Sequence, residues 1–289
     1  MKLKSLAFLP LVLSIQSLIA QPKYTPKHLV VADNINEFVR ISPTSDGAMK
    51  NYLIATLDIW DTDDNDTSFV VGGQTVLLCI EGYMKNNQRN GLFTGFLIDS
   101  LNHKKRYKIW EKTYVNNKLN GKWKTFSLDG KLVNFQTFKN DSLRGIAKNY
   151  AVNGKTILEE REYYNGQGNY VLRKFSKSGE LLEETSFKND IANGLLKKYY
   201  PSKVLKETMT LKDGVANGIQ KSYYSNGRLG IELEFKNGYP WNIISNYTAI
   251  GQKRNPGNLK NGNGTIINYN KNGSVDKIVN YVNGMPATK

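Results

Sequence analysis

The sequence has one cysteine and two histidines. A single thiol cannot close an internal disulfide, so packing and hydrogen bonds must hold the fold. Cys79 sits in the apolar run TVLLCI, residues 75–80, and reads as a buried structural thiol. His28 lies in the N-terminal tail and His103 beside a lysine cluster. No HExxH, GxSxG, P-loop or CxxC motif occurs. Glu159, Glu160, Glu183 and Glu184 come as adjacent pairs. Neighbours on a strand point to opposite faces, which makes poor acid–base couples. A pair of carboxylates distant in sequence is the one enzyme arrangement left open. The expectation is a non-catalytic chain without catalytic residues, metal or cofactor.

Long apolar runs are also scarce. The one candidate is residues 1–20, MKLKSLAFLPLVLSIQSLIA. Lys2 and Lys4 give a basic start, Leu6 to Ile15 an apolar stretch, and Ala20 a small residue before a cut. This reads as a secretory signal. A membrane anchor needs roughly 20 apolar residues, and Ser14, Gln16 and Ser17 interrupt this run. No cysteine follows it, so lipoprotein processing is not expected. The expected location is the periplasm, the cell surface or the extracellular space.

Negative charge is short overall: 40 Lys and Arg stand against 25 Asp and Glu, a net +15. The excess is uneven. Residues 21–80 hold 4 basic and 8 acidic residues, −4, whereas residues 81–289 hold 34 and 17, +17. A basic surface adsorbs to anionic lipid, polysaccharide, nucleic acid or an acidic protein face. Lysines at exposed strand positions also block edge pairing and solvate turns. The densest run, Lys104, Lys105 and Arg106 with Lys108, is the candidate anionic contact. Nucleic acid is the least favoured partner, because no nucleic-acid motif accompanies an export signal. The acidic stretch Asp61-Thr62-Asp63-Asp64-Asn65-Asp66 has the alternate oxygen spacing of a calcium loop. It lacks that loop's glycine and closing Glu, and reads better as an acidic turn.

What the sequence has in quantity is glycine and aromatics: 25 Gly, 17 Tyr, 11 Phe and 4 Trp. Residues 211–238 show their arrangement. Ile219 to Tyr224 is a run of β-formers, and Leu229, Ile231, Leu233 and Phe235 alternate with the period of a strand. Asn226-Gly227 between them predicts a two-residue type I′ hairpin. That turn would place Tyr224 opposite Leu229, Tyr223 opposite Gly230, Ser222 opposite Ile231 and Lys221 opposite Glu232.

The unit recurs as glycine, an aromatic five residues on, glycine four later, an apolar residue two later and an apolar or aromatic residue six later. Gly218, Tyr223, Gly227, Leu229 and Phe235 define it. Gly121, Phe126, Gly130, Leu132 and Phe138 match throughout, as do Gly264, Tyr269, Gly273, Val275 and Tyr281. Partial copies centre on Gly91, on Gly145 with Gly154, on Tyr170 with Gly179, on Gly194 with Lys203, and on Asn242 with Gly251. Lys203 replaces a turn glycine, so Pro201-Ser202 must make that turn. The array has about eight units of roughly 24 residues, and fixed-period self-similarity means a repeat architecture. Gly130, Gly154, Gly179, Gly227, Gly251 and Gly273 are its expected turn residues.

The runs NGKWKTFSLDGKL (120–132), NGIQKSYYSNGRL (217–229) and NGNGTIINYNKNGSV (261–275) carry a resemblance. They resemble the MORN-repeat variant of bacterial proteins often labelled YwqK-type antitoxins, over roughly residues 82–289. The resemblance implies consecutive β-hairpins in one long, twisted antiparallel sheet and no catalytic residue.

The expected fold is all-β. A small N-terminal β region, residues 21–80 with strands at Glu37–Ile41, Tyr52–Trp60, Phe69–Val71 and Thr75–Ile80, precedes the hairpin array at 81–289. A single hairpin is marginal alone, so the recurrent rings should stack in rows between units as core. Trp110, Trp123 and Trp241 fall outside the regular aromatic positions and are candidates for surface contact. The expected function is an exported interaction scaffold for an unidentified protein partner. Adsorption to anionic envelope lipid or polysaccharide is one alternative. An antitoxin or immunity-type role is another.

Overall fold

The structure is a computed structural model in which residues 30–31, 47–62, 68–99, 102, 104–164 and 168–287 are described. The expected signal segment, the strand at 37–41 and acidic-loop residues 63–66 lie outside the described residues. The described chain is all-β, without a helix, and forms two compact units that part after Ile157.

The first unit contains β1 (Val30–Val31), β2 (Gly47–Thr62), β3 (Ser68–Lys85), β4 (Gln88–Ile98), β5 (Arg106–Val115), β6 (Lys118–Phe126), β7 (Leu132–Lys139) and β8 (Ser142–Tyr150). Each strand pairs antiparallel with the next, so sheet order is chain order. The runs expected as separate strands at Phe69–Val71 and Thr75–Ile80 are one strand, β3. Gly72 and Gly73, which lie between the two expected strands, pair with Ile59 and Asp58 within the ladder. β3 also continues through residue 80, where the N-terminal region was expected to give way to the repeats.

The second unit contains β9 (Ile157–Tyr163), β10 (Tyr170–Phe175), β11 (Leu181–Lys188), β12 (Ile191–Tyr199), β13 (Leu205–Lys212), β14 (Val215–Tyr223), β15 (Leu229–Lys236) and β16 (Tyr239–Asn246), again paired in chain order. The last unit of the repeat forms its own three-stranded sheet from β17 (Gly264–Tyr269), β18 (Val275–Val282) and β19 (Met285–Pro286). Residues 247–263 break the array before it. Pro256 lacks the N–H a ladder needs, and only isolated bridges form there, such as Tyr247 with Lys253.

Two turn types alternate. At Asn237-Gly238 both residues have positive φ, 51° and 87°, the type I′ geometry of a two-residue hairpin. At Asn226-Gly227 only the glycine does, at 83°. There the Gly227 N–H donates to the Tyr224 carbonyl and the Tyr224 N–H to the Arg228 carbonyl, so Ser225, Asn226 and Gly227 form a three-residue loop closed by a bulge. The extra residue changes the register expected beside it. Tyr223, not Tyr224, pairs with Leu229, and the Tyr224 ring covers Gly230. Farther from the turn, Ser222 pairs with Ile231 and Lys221 with Glu232, as expected.

The core is made where hairpins meet. In the first unit Leu78, Ile80, Phe93, Ile109, Trp110 and Tyr114 form a buried cluster, with Phe93 edge-on to Tyr114 at 5.3 Å. Cys79, between Leu78 and Ile80 on β3, is buried as well. In the second, Leu233, Leu259 and Ile266 pack with Ile231, Phe235, Ile243 and Tyr281. Rings stack in rows across strands, as in Tyr163, Tyr170 and Phe187, with centroids 5.1 and 4.8 Å apart.

Candidate interaction surfaces

The cationic run of the first unit is mostly matched within the chain. Arg106 Nη1 lies 2.5 Å from Glu81 Oε1, which Lys50 also reaches at 3.3 Å. The Arg106 guanidinium covers the Phe96 ring at 4.1 Å. Lys108 bonds Glu111 at 2.7 Å and lies over Phe126, while Lys124 takes the other oxygen of Glu111 at 3.2 Å. Lys105 lies over Tyr107 at 4.8 Å. Lys104 is exposed, with its backbone N–H bonded to Asn102 Oδ1. The Arg106 bond foremost holds the Glu81 carboxyl below the usual range. Burial raises Glu111, but Lys108 and Lys124 outweigh it and leave its pKa lowered.

The tryptophans do not form one surface. Trp110 is 3% exposed and belongs to the core. It pairs across the ladder with Gly95, whose missing side chain leaves room for the indole: a Cβ there would stand 2.2 Å from Trp110 Cε2. Trp110 therefore offers nothing to a partner. Trp123 is half-buried against Phe138, with centroids 5.6 Å apart. Lys112 lies between the two indoles, 4.7 Å from Trp110 and 4.2 Å from Trp123. Trp241 is half-buried over Gly262, with Lys236 above its ring at 4.6 Å.

Ion pairs cross the second unit in rows. Arg173 bonds Glu160, Glu162 and Glu184 at 3.1, 2.9 and 3.0 Å. Lys197 takes the other oxygen of Glu184 at 2.9 Å, and Lys221 meets Glu232 at 3.2 Å. Glu183 and Glu184 are thus engaged by different cations, Glu183 by Lys174 at 3.5 Å. Burial pushes Glu184 up, yet Lys197 and Arg173 bring it below the ordinary carboxylate range. The same carboxylates hold Arg173 more firmly protonated than usual, against its burial.

The edge of two-residue turns is different. Lys188, Lys212 and Lys236 precede these turns, and Ile191, Val215 and Tyr239 follow them. The three lysines are exposed, and the apolar residues are 50%, 46% and 46% exposed. Successive turns are fastened together: the Gly214 N–H donates to Ala192 O and the Gly238 N–H to Ala216 O. The lysines are visible in the sequence as turn-solvating residues, and their apolar partners are not part of the repeat pattern read there. The available signal was their position, directly after each turn at residues 191, 215 and 239, 24 apart.

Residues 192–213 and 216–237 each match the family profile described as MORN repeat variant. The chain carries MORN-variant repeats. The matched stretches run from β12 to the turn after β13 and from β14 to the turn after β15, one structural unit each. Their repeat glycines, Gly194 and Gly218, occupy equivalent places on β12 and β14. MORN repeats fit a non-catalytic repeat scaffold. No curated protein is similar to the chain at a significant level.

Proposed function

We propose that this MORN-repeat chain is an exported scaffold that holds a protein partner along its edge of two-residue turns. The observation behind this reading is the recurrence of exposed Lys188 and Ile191, Lys212 and Val215, and Lys236 and Tyr239. Each repeat advances an antiparallel sheet by two strands, about 10 Å. The edge therefore offers one cation and one apolar side chain per step. A partner with acidic and apolar groups at that pitch gains by multiple weak contacts rather than by one pocket. Export rests on the character of residues 1–20.

Adsorption to anionic lipid or polysaccharide is the weaker reading. The densest run, the candidate anionic contact, is engaged within the chain at Arg106 and Lys108, and the ladder cations Lys124, Arg173, Lys197 and Lys221 also meet carboxylates of the same chain. An antitoxin or immunity role is a special case of the protein-binding reading and requires one tight, stoichiometric partner.

Cosedimentation with envelope fractions and with anionic or neutral vesicles, at low and high salt, separates these readings. The expected result is envelope retention that survives high salt and falls at least tenfold in Ile191→Ser/Val215→Ser/Tyr239→Ser. Salt-reversible binding to anionic vesicles overturns it, because exposed charge contacts are screened by salt.

A further inference from the structure

The break in the repeat array creates a feature that the regular units do not have. Residues 253–260 run beside β17 through isolated bridges instead of forming a strand. Arg254 on this segment enters a cleft of about 260 Å³ lined by Tyr200, Ser222, Tyr223, Tyr224 and Tyr269 among others, with the Tyr224 hydroxyl and the Tyr269 ring against the guanidinium.

Arg254 is half-buried and held in place. Its backbone N–H donates to Asn246 O at 3.0 Å. Its Nε donates to Asn246 Oδ1 at 2.8 Å and its Nη2 to Tyr224 Oη at 2.9 Å. The Tyr269 ring lies beneath the guanidinium, 4.0 Å from Cζ. Asn246, the anchor, is 3% exposed. A guanidinium has five N–H donors, so both Nη1 hydrogens and one on Nη2 remain for a ligand. Among the described residues Arg106, Arg161 and Arg173 each meet a carboxylate, but the cleft around Arg254 contains none.

We infer that this cleft binds a small organic carboxylate, its two oxygens on the Arg254 fork and its carbon body against the tyrosine rings. A guanidinium edge matches a carboxylate in bidentate fashion. The lining has one cation and no second positive group, which suits a single negative charge better than a phosphate dianion. The aromatic walls suit a flat or ring-shaped body. Such a carboxylate could come from a peptide C-terminus or from a sugar acid. The same physical chemistry serves both, and this site is independent of the turn edge.

The test uses the full chain and the Arg254 Nε–H signal in proton–nitrogen correlation spectra, assigned in the wild-type protein. The probes are N-acetylphenylalanine with its amide, glucuronate with glucose, and inorganic phosphate. The expected result is a saturable shift with at least one carboxylate and none with its neutral counterpart. The pair that responds identifies the source. Arg254→Lys keeps the charge but loses the fork and the Nε–H; followed in both proteins through the backbone amide shifts of Tyr224 and Tyr269, it should weaken binding at least tenfold while preserving the dispersed backbone spectrum. The proposal is overturned if neither carboxylate shifts the signal, if a neutral counterpart or phosphate does so equally, or if a folded Arg254→Lys binds unimpaired. The wild-type arms decide the matter even if that variant fails to fold.

Discussion

Gly218 faces Thr210 so closely that a Cβ on the glycine would stand 3.1 Å from Thr210 Cβ. The relationship recurs along the chain: Gly121 with Thr113 at 3.0 Å and Gly194 with Ser186 at 3.3 Å. At each place the ladder shifts register, between Met209 and Leu211, Lys112 and Tyr114, and Thr185 and Phe187. The first glycine of the repeat is therefore a bulge residue inside a strand, with φ of 120° at Gly218. Gly218→Ala should cost about 2 kcal/mol, the strain of an L-residue in that conformation. Urea unfolding should show a lower midpoint with an unchanged slope. An unchanged midpoint would mean that the bulge relaxes without strain.

Acid should loosen the second unit through Glu184. Its carboxyl is lowered in the folded chain despite burial, because Lys197 and Arg173 outweigh it. A lowered carboxylate contributes stability that is complete above its unfolded pKa, about 4.3, and is lost as pH falls through the folded value. Arg173→Gln removes the cation shared by Glu160, Glu162 and Glu184. It should cost about 2 kcal/mol near pH 7, the scale of charged hydrogen bonds. The loss should shrink as Glu184 protonates. Equal losses at pH 7 and pH 3.5 would show that Arg173 acts through packing alone.

The three-residue loops give a paired test of backbone conformation. Lys203 holds the left-handed position, φ 63°, that glycine occupies at 227 with φ 83°. The Lys203 N–H donates to Tyr200 O as the Gly227 N–H does to Tyr224 O. The left-handed region costs an L-residue roughly 1–2 kcal/mol. Lys203→Gly should therefore stabilise the chain by about 1 kcal/mol, the strain relief being partly offset by the entropy of glycine. Gly227→Val should destabilise it by about 2 kcal/mol or more, since a β-branched residue is least tolerant there. Thermal melts that move in the same direction for both variants would contradict this assignment.

The period and strand character were legible because Gly218 and Tyr223, and their equivalents, repeat at fixed offsets. Turn type was not. The same dipeptide occurs at Asn226-Gly227 and Asn237-Gly238, yet only the second is a two-residue turn. The register of the flanking strands chooses between them, and a dipeptide does not carry that register. The Trp110 environment was half-legible. An aromatic ring over glycine was expected of Tyr223 and Gly230, but Trp110 and Gly95 use that pairing in the core. The ion pair of Lys221 with Glu232 was legible from the expected register, whereas the one of Arg173 with Glu160, Glu162 and Glu184 depends on three strands meeting. Arg254 carried no signal, because its anchors Asn246 and Tyr224 belong to other segments.

Tyrosine hydroxyls tie successive repeats of the second unit together at Tyr200 and Tyr224. Tyr200 Oη donates to the Tyr223 carbonyl at 2.8 Å and Tyr224 Oη to the Tyr247 carbonyl at 2.8 Å, both spanning 23 residues. Tyr224 Oη also accepts from Arg254. Replacing either tyrosine by phenylalanine keeps the ring and removes only the hydroxyl. Tyr200→Phe should cost about 1 kcal/mol, the net worth of one hydrogen bond. Tyr224→Phe should cost about 2 kcal/mol, because it also deprives a charged donor of its acceptor. Equilibrium urea unfolding of both variants measures the difference. Equal losses would mean that water replaces the Tyr224 hydroxyl at Arg254 without penalty, so that the guanidinium is positioned by Asn246 and the Tyr269 ring alone.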